Sequence, residues 1–209
     1  RIKIDLEVLQ PQTIEINYNY YLSVLIYCLL RESDIDFSSK LHSHGYTIGN
    51  KTFKLFCFSK LILAKYSVNG DKLTVKDRMH WYISSPVGEF VYHLADGLLK
   101  KQKMNIGQGK FYIRSVEILK SPKFEGEMKF RSLSPITIHT VEVEDGERKT
   151  VSCAPHEMKF VENIKNNLLR KYFLLQGKLP DDMSIQFAVD EKYLRDRGKL
   201  IAYKDTLIK

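Results

Sequence analysis

The hydrophobic period of this chain changes from two to about 3.6 and back, twice, within its first 120 residues, and that alternation constrains the fold more than any other feature. Ile2, Ile4, Leu6 and Val8 alternate with Lys3, Asp5 and Glu7, the pattern of a strand with one buried face. From Asn17, which is placed to act as an N-cap, the apolar positions Tyr18, Leu22, Leu25, Ile26 and Leu29 fall at helical spacing. Residues Lys54 to Leu63, then Lys72 to Val75 with Met79 to Ile83, read as extended segments joined by the turn signal Asn69-Gly70. Pro86 precedes the stripe Val87, Phe90, Val91, Leu94, Ala95 and Leu98, a second helix, and Lys110 to Leu119 is again extended. The order β-α-β-β-α-β predicts an α+β, ferredoxin-like (RRM-like) unit. Its sheet carries helices on one face and leaves the other free for a partner, a layout that RNA-recognition modules use.

Ser121-Pro122-Lys123 reads as a linker, which divides the chain into expected domains 1–120 and 124–209. The second opens with strand-like Glu127 to Val143, broken at Pro135, and turns at Glu144-Asp145-Gly146-Glu147 to return through Arg148 to Cys153. Pro155 introduces a helix with Phe160, Val161, Ile164, Leu168 and Leu169 on one face, and strands are expected near Met183–Glu191 and Lys199–Leu207. The β-α-β-β pattern begins again and stops at Lys209, so the second ferredoxin-like unit is expected to be incomplete at its C-terminus.

Apolar residues make up 44% of the 209 and charged residues 28%, which excludes the low-hydrophobicity signature of disorder. Three widely spaced cysteines, Cys28, Cys57 and Cys153, form no CxxC pair, so a disulfide framework is not expected and reduced thiols fit best. The absence of a signal-like or membrane-spanning apolar run points to the cytoplasm and to no membrane partner. With 33 Lys+Arg against 25 Asp+Glu the formal charge is +8, a balance that attracts nucleic acid, although many basic proteins bind no polyanion.

The densest group of chemically useful side chains is His42, His44 and Tyr46, followed by Lys51 and Lys54. Imidazole exchanges protons near neutrality, and an ammonium stabilises developing negative charge. A polar loop with incidental exposed histidines is the plain alternative. Zinc is another, with Asp34 and Asp36 nearby, but an H-x-H pair alone does not complete a site, and neither metal nor cofactor is expected. His80, His93, His139 and His156 are isolated and read as structural. The tyrosines of the first helix read as core, with Tyr27 an exception. Lys100, Lys101 and Lys103 form one basic cluster, and Lys120, Lys123, Lys129 and Arg131 another. Either could be a solvated face or a phosphate contact, and Lys129-Phe130-Arg131 suits a single strand of RNA.

The opening strand followed by NYNYYLSVLIYCLL, KLHSHGY, KTFKLFCFSKL and FRSLSPITIHTV resembles the CRISPR-associated repeat-cleaving endoribonucleases (the Cas-six family) over nearly the whole chain. The resemblance implies two ferredoxin-like domains side by side and metal-independent cleavage of precursor RNA within its repeats. In the family a histidine shortly after the first helix works with a tyrosine on that helix and a lysine on the next strand. These roles fall on His42 or His44, Tyr27 and Lys54, with both histidines retained. One group would abstract the 2′-hydroxyl proton, another would protonate the departing 5′-oxygen, and Lys54 would stabilise the phosphorane. The products would be a 2′,3′-cyclic phosphate and a 5′-hydroxyl. Lys51, Lys100, Lys101, Lys103, Lys129 and Arg131 would bind the repeat RNA, with other CRISPR effector subunits or a second copy as further partners. The family's glycine-rich C-terminal loop has no counterpart after Leu200. A catalytically silent repeat-RNA-binding subunit is the alternative, and a protein–protein module unrelated to RNA is a third reading.

Overall fold

The computed structural model describes residues 1–144, 146–190, 201–203 and 206–208. Strand β1 (Ile2–Glu7) buries Ile2, Ile4 and Leu6 and turns Lys3, Asp5 and Glu7 to the other face, as its alternation requires. A short β2 (Gln12–Glu15) follows, which the periodicity does not announce. Helix α1 (Asn19–Ser33) buries Leu22, Ile26, Leu29 and Leu30. Its N-cap is Tyr18, not Asn17, and no side chain caps it. The Tyr18 ring instead turns into the core, where its phenol oxygen accepts the Leu61 N–H at 3.2 Å. Burying an aromatic ring is worth about 2–3 kcal/mol against about 1 for a cap bond, so the ring decides where the helix starts.

Helix α2 (Ile35–Ser43) occupies what the sequence reads as a loop, so His42 lies on a helix. The Asp34 carboxylate accepts the Phe37 N–H at 2.7 Å and caps it. A hairpin of β3 (Tyr46–Ile48) and β4 (Lys51–Phe53) comes next. The expected extended run Lys54–Leu63 is broken into β5 (Cys57–Phe58) and β6 (Ile62–Leu63), and Lys54 is in neither. Leu55 breaks the run: it is buried with a positive φ of 50°, and its carbonyl accepts the Ser85 hydroxyl at 2.7 Å. Strands β7 (Tyr66–Asn69) and β8 (Lys72–Val75) pair across Gly70 and Asp71, and β2 joins them in a three-stranded sheet.

Strand β9 (Met79–Ser84), helix α3 (Gly88–Leu99) and strands β10 (Lys103–Ile106) and β11 (Gly109–Ile118) complete the first unit's main sheet. Its order is β10-β11-β1-β9-β5, with β6 also on β9, and every neighbouring pair is antiparallel. The first strand is flanked by the last long one and by the strand that precedes α3, which is the ferredoxin-like split βαβ arrangement. Helix α3 buries Phe90, Leu94 and Leu98 of the stripe read from the sequence, and Gly97 as well, while Val87, Val91 and Ala95 are partly buried against the core. It packs on α1 so closely that a methyl group on Gly97 would sit 1.9 Å from the Leu29 carbonyl oxygen.

The backbone separates into two compact units, Arg1–Tyr46 with Thr52–Ser134, and Thr47–Lys51 with Pro135–Lys209. The second contains the hairpin β12 (Ile138–Glu144) and β13 (Glu147–Cys153), helix α4 (Met158–Gln176) and a hairpin of β14 (Ile201–Tyr203) and β15 (Thr206–Ile208). The expected strand Glu127–Val143 forms only from Ile138, where cross-strand pairing with β13 begins. Residues 183–190 form no strand, and Glu191 lies outside the described residues. Of the strand expected over Lys199–Leu207, residues 199, 200, 204 and 205 lie outside the described residues, and the others fall in β14 and β15. Helix α4 ends at Gly177, whose φ of 71° suits a residue without Cβ.

Candidate active site

The last turn of α2 carries His42, and His44 is the residue that caps its C-terminus. Asp34 starts the helix, and Ser38 ties it to α1 by donating its hydroxyl to the Tyr27 carbonyl at 3.0 Å. The helix ends with the His44 and Gly45 N–H groups both on the Lys40 carbonyl, at 2.9 and 3.0 Å. Gly45 takes a φ of 61°, which reverses the chain there.

His42, exposed in the last turn, meets the Tyr27 ring edge to face with centroids 4.9 Å apart. Tyr27 in turn meets Phe56 at 5.8 Å, and Phe56 stacks on the buried Phe90 at 4.9 Å. An aromatic ladder therefore runs from the core of α3 to the His42 imidazole. Burial raises the Tyr27 phenol above its ordinary value of 10.0, so near neutrality it is a proton donor and not a base. Tyr46 is also raised, by burial first and then by the Glu89 carboxylate.

The hydrogen bonds around His44 assign its tautomer. The Ser43 hydroxyl lies 2.7 Å from the Ser39 carbonyl oxygen and 2.7 Å from His44 Nδ1. A carbonyl can only accept, so the single hydroxyl proton goes to Ser39, and the Ser43 oxygen must accept from Nδ1–H. In the neutral ring the Nε2 lone pair is then free, and His44 is exposed.

Lys54 reaches the same turn from the coil after β4. Its ammonium donates to the carbonyls of Leu41 at 2.8 Å and His42 at 2.7 Å, which leaves one of its three N–H donors for a ligand. The Tyr27 ring thus touches the His42 imidazole and Lys54 holds the His42 main-chain carbonyl, with His44 two residues further on.

The basic residues are more scattered. Lys51 is exposed on β4, Lys103 on β10, and Lys129 and Arg131 in coil. Lys100 pairs with Asp96 at 2.6 Å and Lys101 with Glu32 at 2.7 Å, so part of their charge is already matched. His80 pairs with Asp5, and His93 with Ser33 at 2.9 Å. Sequence reasoning missed Ser43, Phe56 and the special conformation of Gly45. A hydroxyl between two histidines was a usable signal for Ser43, whereas Phe56 carries no local mark of its ladder. Among the described residues no three His, Cys, Asp or Glu side chains converge to hold a metal ion, and no helix is long and apolar enough to cross a membrane.

Comparison with known proteins places this chain in a family. The description "CRISPR-associated protein Cas6, N-terminal" matches residues 13–117, and "CRISPR associated protein Cas6, C-terminal" matches residues 119–209. A CRISPR-associated endoribonuclease Cas6 of Methanocaldococcus jannaschii is 34% identical over 209 residues, covering 99% of this chain and 77% of that protein. A solved structure of a CRISPR associated protein Cas6 aligns with TM-score 0.67 at 31% identity, covering 86% of this chain and 72% of the other. A Cas6-related protein from Pyrococcus furiosus aligns with TM-score 0.72 at 26% identity, covering 88% and 73%. The fold class is that of these structures, α+β with tandem ferredoxin-like domains. The chain belongs to the Cas6 family of CRISPR-associated proteins.

Proposed function

We propose that this chain is an endoribonuclease of CRISPR RNA processing that cuts precursor RNA within its repeats, with His42 and His44 as the acid–base pair. The observation that carries the reading is the Ser39–Ser43–His44 chain of hydrogen bonds, which leaves an exposed Nε2 lone pair two residues from a second imidazole. A base oriented by a neighbour that fixes its tautomer is the general arrangement for proton abstraction.

His44 Nε2 takes the 2′-hydroxyl proton. The 2′-oxygen bonds to the adjacent phosphorus as the bond from phosphorus to the 5′-oxygen breaks, and protonated His42 returns a proton to that oxygen. A 2′,3′-cyclic phosphate and a 5′-hydroxyl result, and the net proton count is unchanged. The third N–H of Lys54 meets the charge that develops on the phosphorane, and the protonated Tyr27 phenol is a second donor. No step requires a metal. RNA is required because DNA lacks the internal nucleophile. In this reading residues 1–120 cleave and residues 124–209 add RNA-binding surface, with Lys51, Lys100, Lys101, Lys103, Lys129 and Arg131 as backbone contacts.

Incubation of repeat RNA with the protein in excess chelator tests the reading. Cleavage at one position, with a cyclic phosphate on the upstream product, is expected. Activity that disappears on chelation and returns with zinc would replace it with a metallonuclease.

A further inference from the structure

We propose that Lys54 and Gly45 form a positioning latch that holds the histidine-bearing turn through its main chain, an inference that rests on the reading of His42 and His44 as the acid–base pair. Helix α2 has only nine residues, too few to be stable without tertiary support, and its last carbonyls have no partner within the helix. The Lys54 ammonium supplies partners to two of them, Leu41 and His42, at the helix end where a cation is favoured. The carbonyl it grips at 2.7 Å belongs to His42 itself, so a movement of Lys54 is felt directly by that residue's backbone.

Gly45 is the other half of the latch. A methyl group on it would sit 2.6 Å from the Phe53 carbonyl oxygen, 3.1 Å from Lys54 Cδ and 3.2 Å from Thr52 Cγ2. The Lys54 stem therefore lies against the bare Cα of Gly45, and any side chain there displaces the segment that carries Lys54. Both contacts are needed at once: the left-handed turn brings the chain back under Lys54, and the missing Cβ lets the stem reach over it. Since a misplacement of about 1 Å at a catalytic group can cost on the order of a hundredfold in rate, a latch on the His42 backbone acts on the chemical step and not on RNA affinity. A phosphate ligand alone would need neither bond to the helix carbonyls nor a glycine beneath its stem.

The test uses Lys54→Met, which keeps the stem and removes the donors, and Gly45→Asn, which tolerates the left-handed backbone but not the collision. Each is measured alone and together, by single-turnover cleavage of repeat RNA, affinity for a repeat with a 2′-deoxy scissile nucleotide, and hydrogen exchange at the His44 and Gly45 amides. The latch predicts exchange at least about tenfold faster at those two amides, cleavage slowed about 10–100-fold, and affinity changed by less than about threefold. The double variant should be no slower than the worse single one, because both break the same contact. Lys54→Arg, whose fork can reach two neighbouring carbonyls, should keep exchange slow, and it carries the test if Gly45→Asn does not fold. Slow cleavage with unchanged exchange would overturn the latch and leave Lys54 acting on the phosphate alone, with the histidine assignment intact. Fast exchange with unchanged cleavage would overturn the latch through the histidine assignment itself.

Discussion

The Tyr27 ring stands edge-on to the His42 imidazole, with centroids 4.9 Å apart and planes at 84°. Two contributions follow, one from the ring and one from its hydroxyl, and they separate by substitution. Tyr27→Phe keeps the ring and should slow single-turnover cleavage about 100-fold or more, the worth of one donor to the developing charge on the phosphorane. Tyr27→Ala also removes the ladder through Phe56 and should cost more, with RNA affinity held in both variants. Full activity in Tyr27→Phe would assign Tyr27 a packing role only.

Helices α1 and α3, which carry Tyr27 and Phe90, pack closely against each other. A Cβ on Gly97 would lie 1.9 Å from the Leu29 carbonyl oxygen, a main-chain atom that cannot rotate away. Gly97→Ala should therefore destabilise the protein by about 1–3 kcal/mol or more in urea unfolding, in spite of alanine's better helix propensity. An unchanged or raised midpoint would mean that the helices are not packed this closely.

Much of this frame was legible in the sequence, and the exceptions have physical causes. Strand β1 and helix α3 announce themselves because each buries one face, so period and burial agree. Helix α2 escaped notice because IDFSSKLHS is polar and serine-rich, and Asp34, its N-cap, looked like a metal-ligand candidate. Lys54 seemed to start a strand because its apolar neighbours continue past it, but the buried, left-handed Leu55 breaks that strand. The partner of Lys101 is Glu32, 69 positions away, and no local pattern reports such a pairing.

Those ion pairs bear on RNA binding. Lys129 and Arg131 are exposed in coil, whereas Lys100 and Lys101 sit on Asp96 and Glu32. Replacing Lys129 and Arg131 together by Ala should lower the slope of log affinity against log salt by about 1–2. The same change at Lys100 and Lys101 should lower it less. Equal slopes would show that the carboxylates do not compete with phosphate.

Acid stability should depend on Asp5. Burial alone would raise its carboxyl, but the Ser115 hydroxyl at 2.8 Å, His80 and Lys3 together hold it below the ordinary aspartate value of 3.8. A carboxylate that stays ionised to lower pH when folded than when unfolded stabilises the fold above the ordinary value. That contribution is lost as pH falls through the lowered folded value. Urea midpoints measured from pH 7 down to pH 3 should fall less steeply for Asp5→Asn than for the wild type. Parallel curves would mean that Asp5 titrates alike in both states.

The two imidazoles at the C-terminal end of α2 are tested most directly by replacing His42 and His44 together with Ala and measuring single-turnover cleavage of repeat RNA in chelator beside equilibrium binding. General acid–base groups contribute about 10²–10⁴-fold each to rate and little to ground-state affinity. Cleavage should therefore fall below detection while binding stays within about threefold of wild type. Cleavage retained by the double variant would contradict the assignment and move the chemistry elsewhere in the chain.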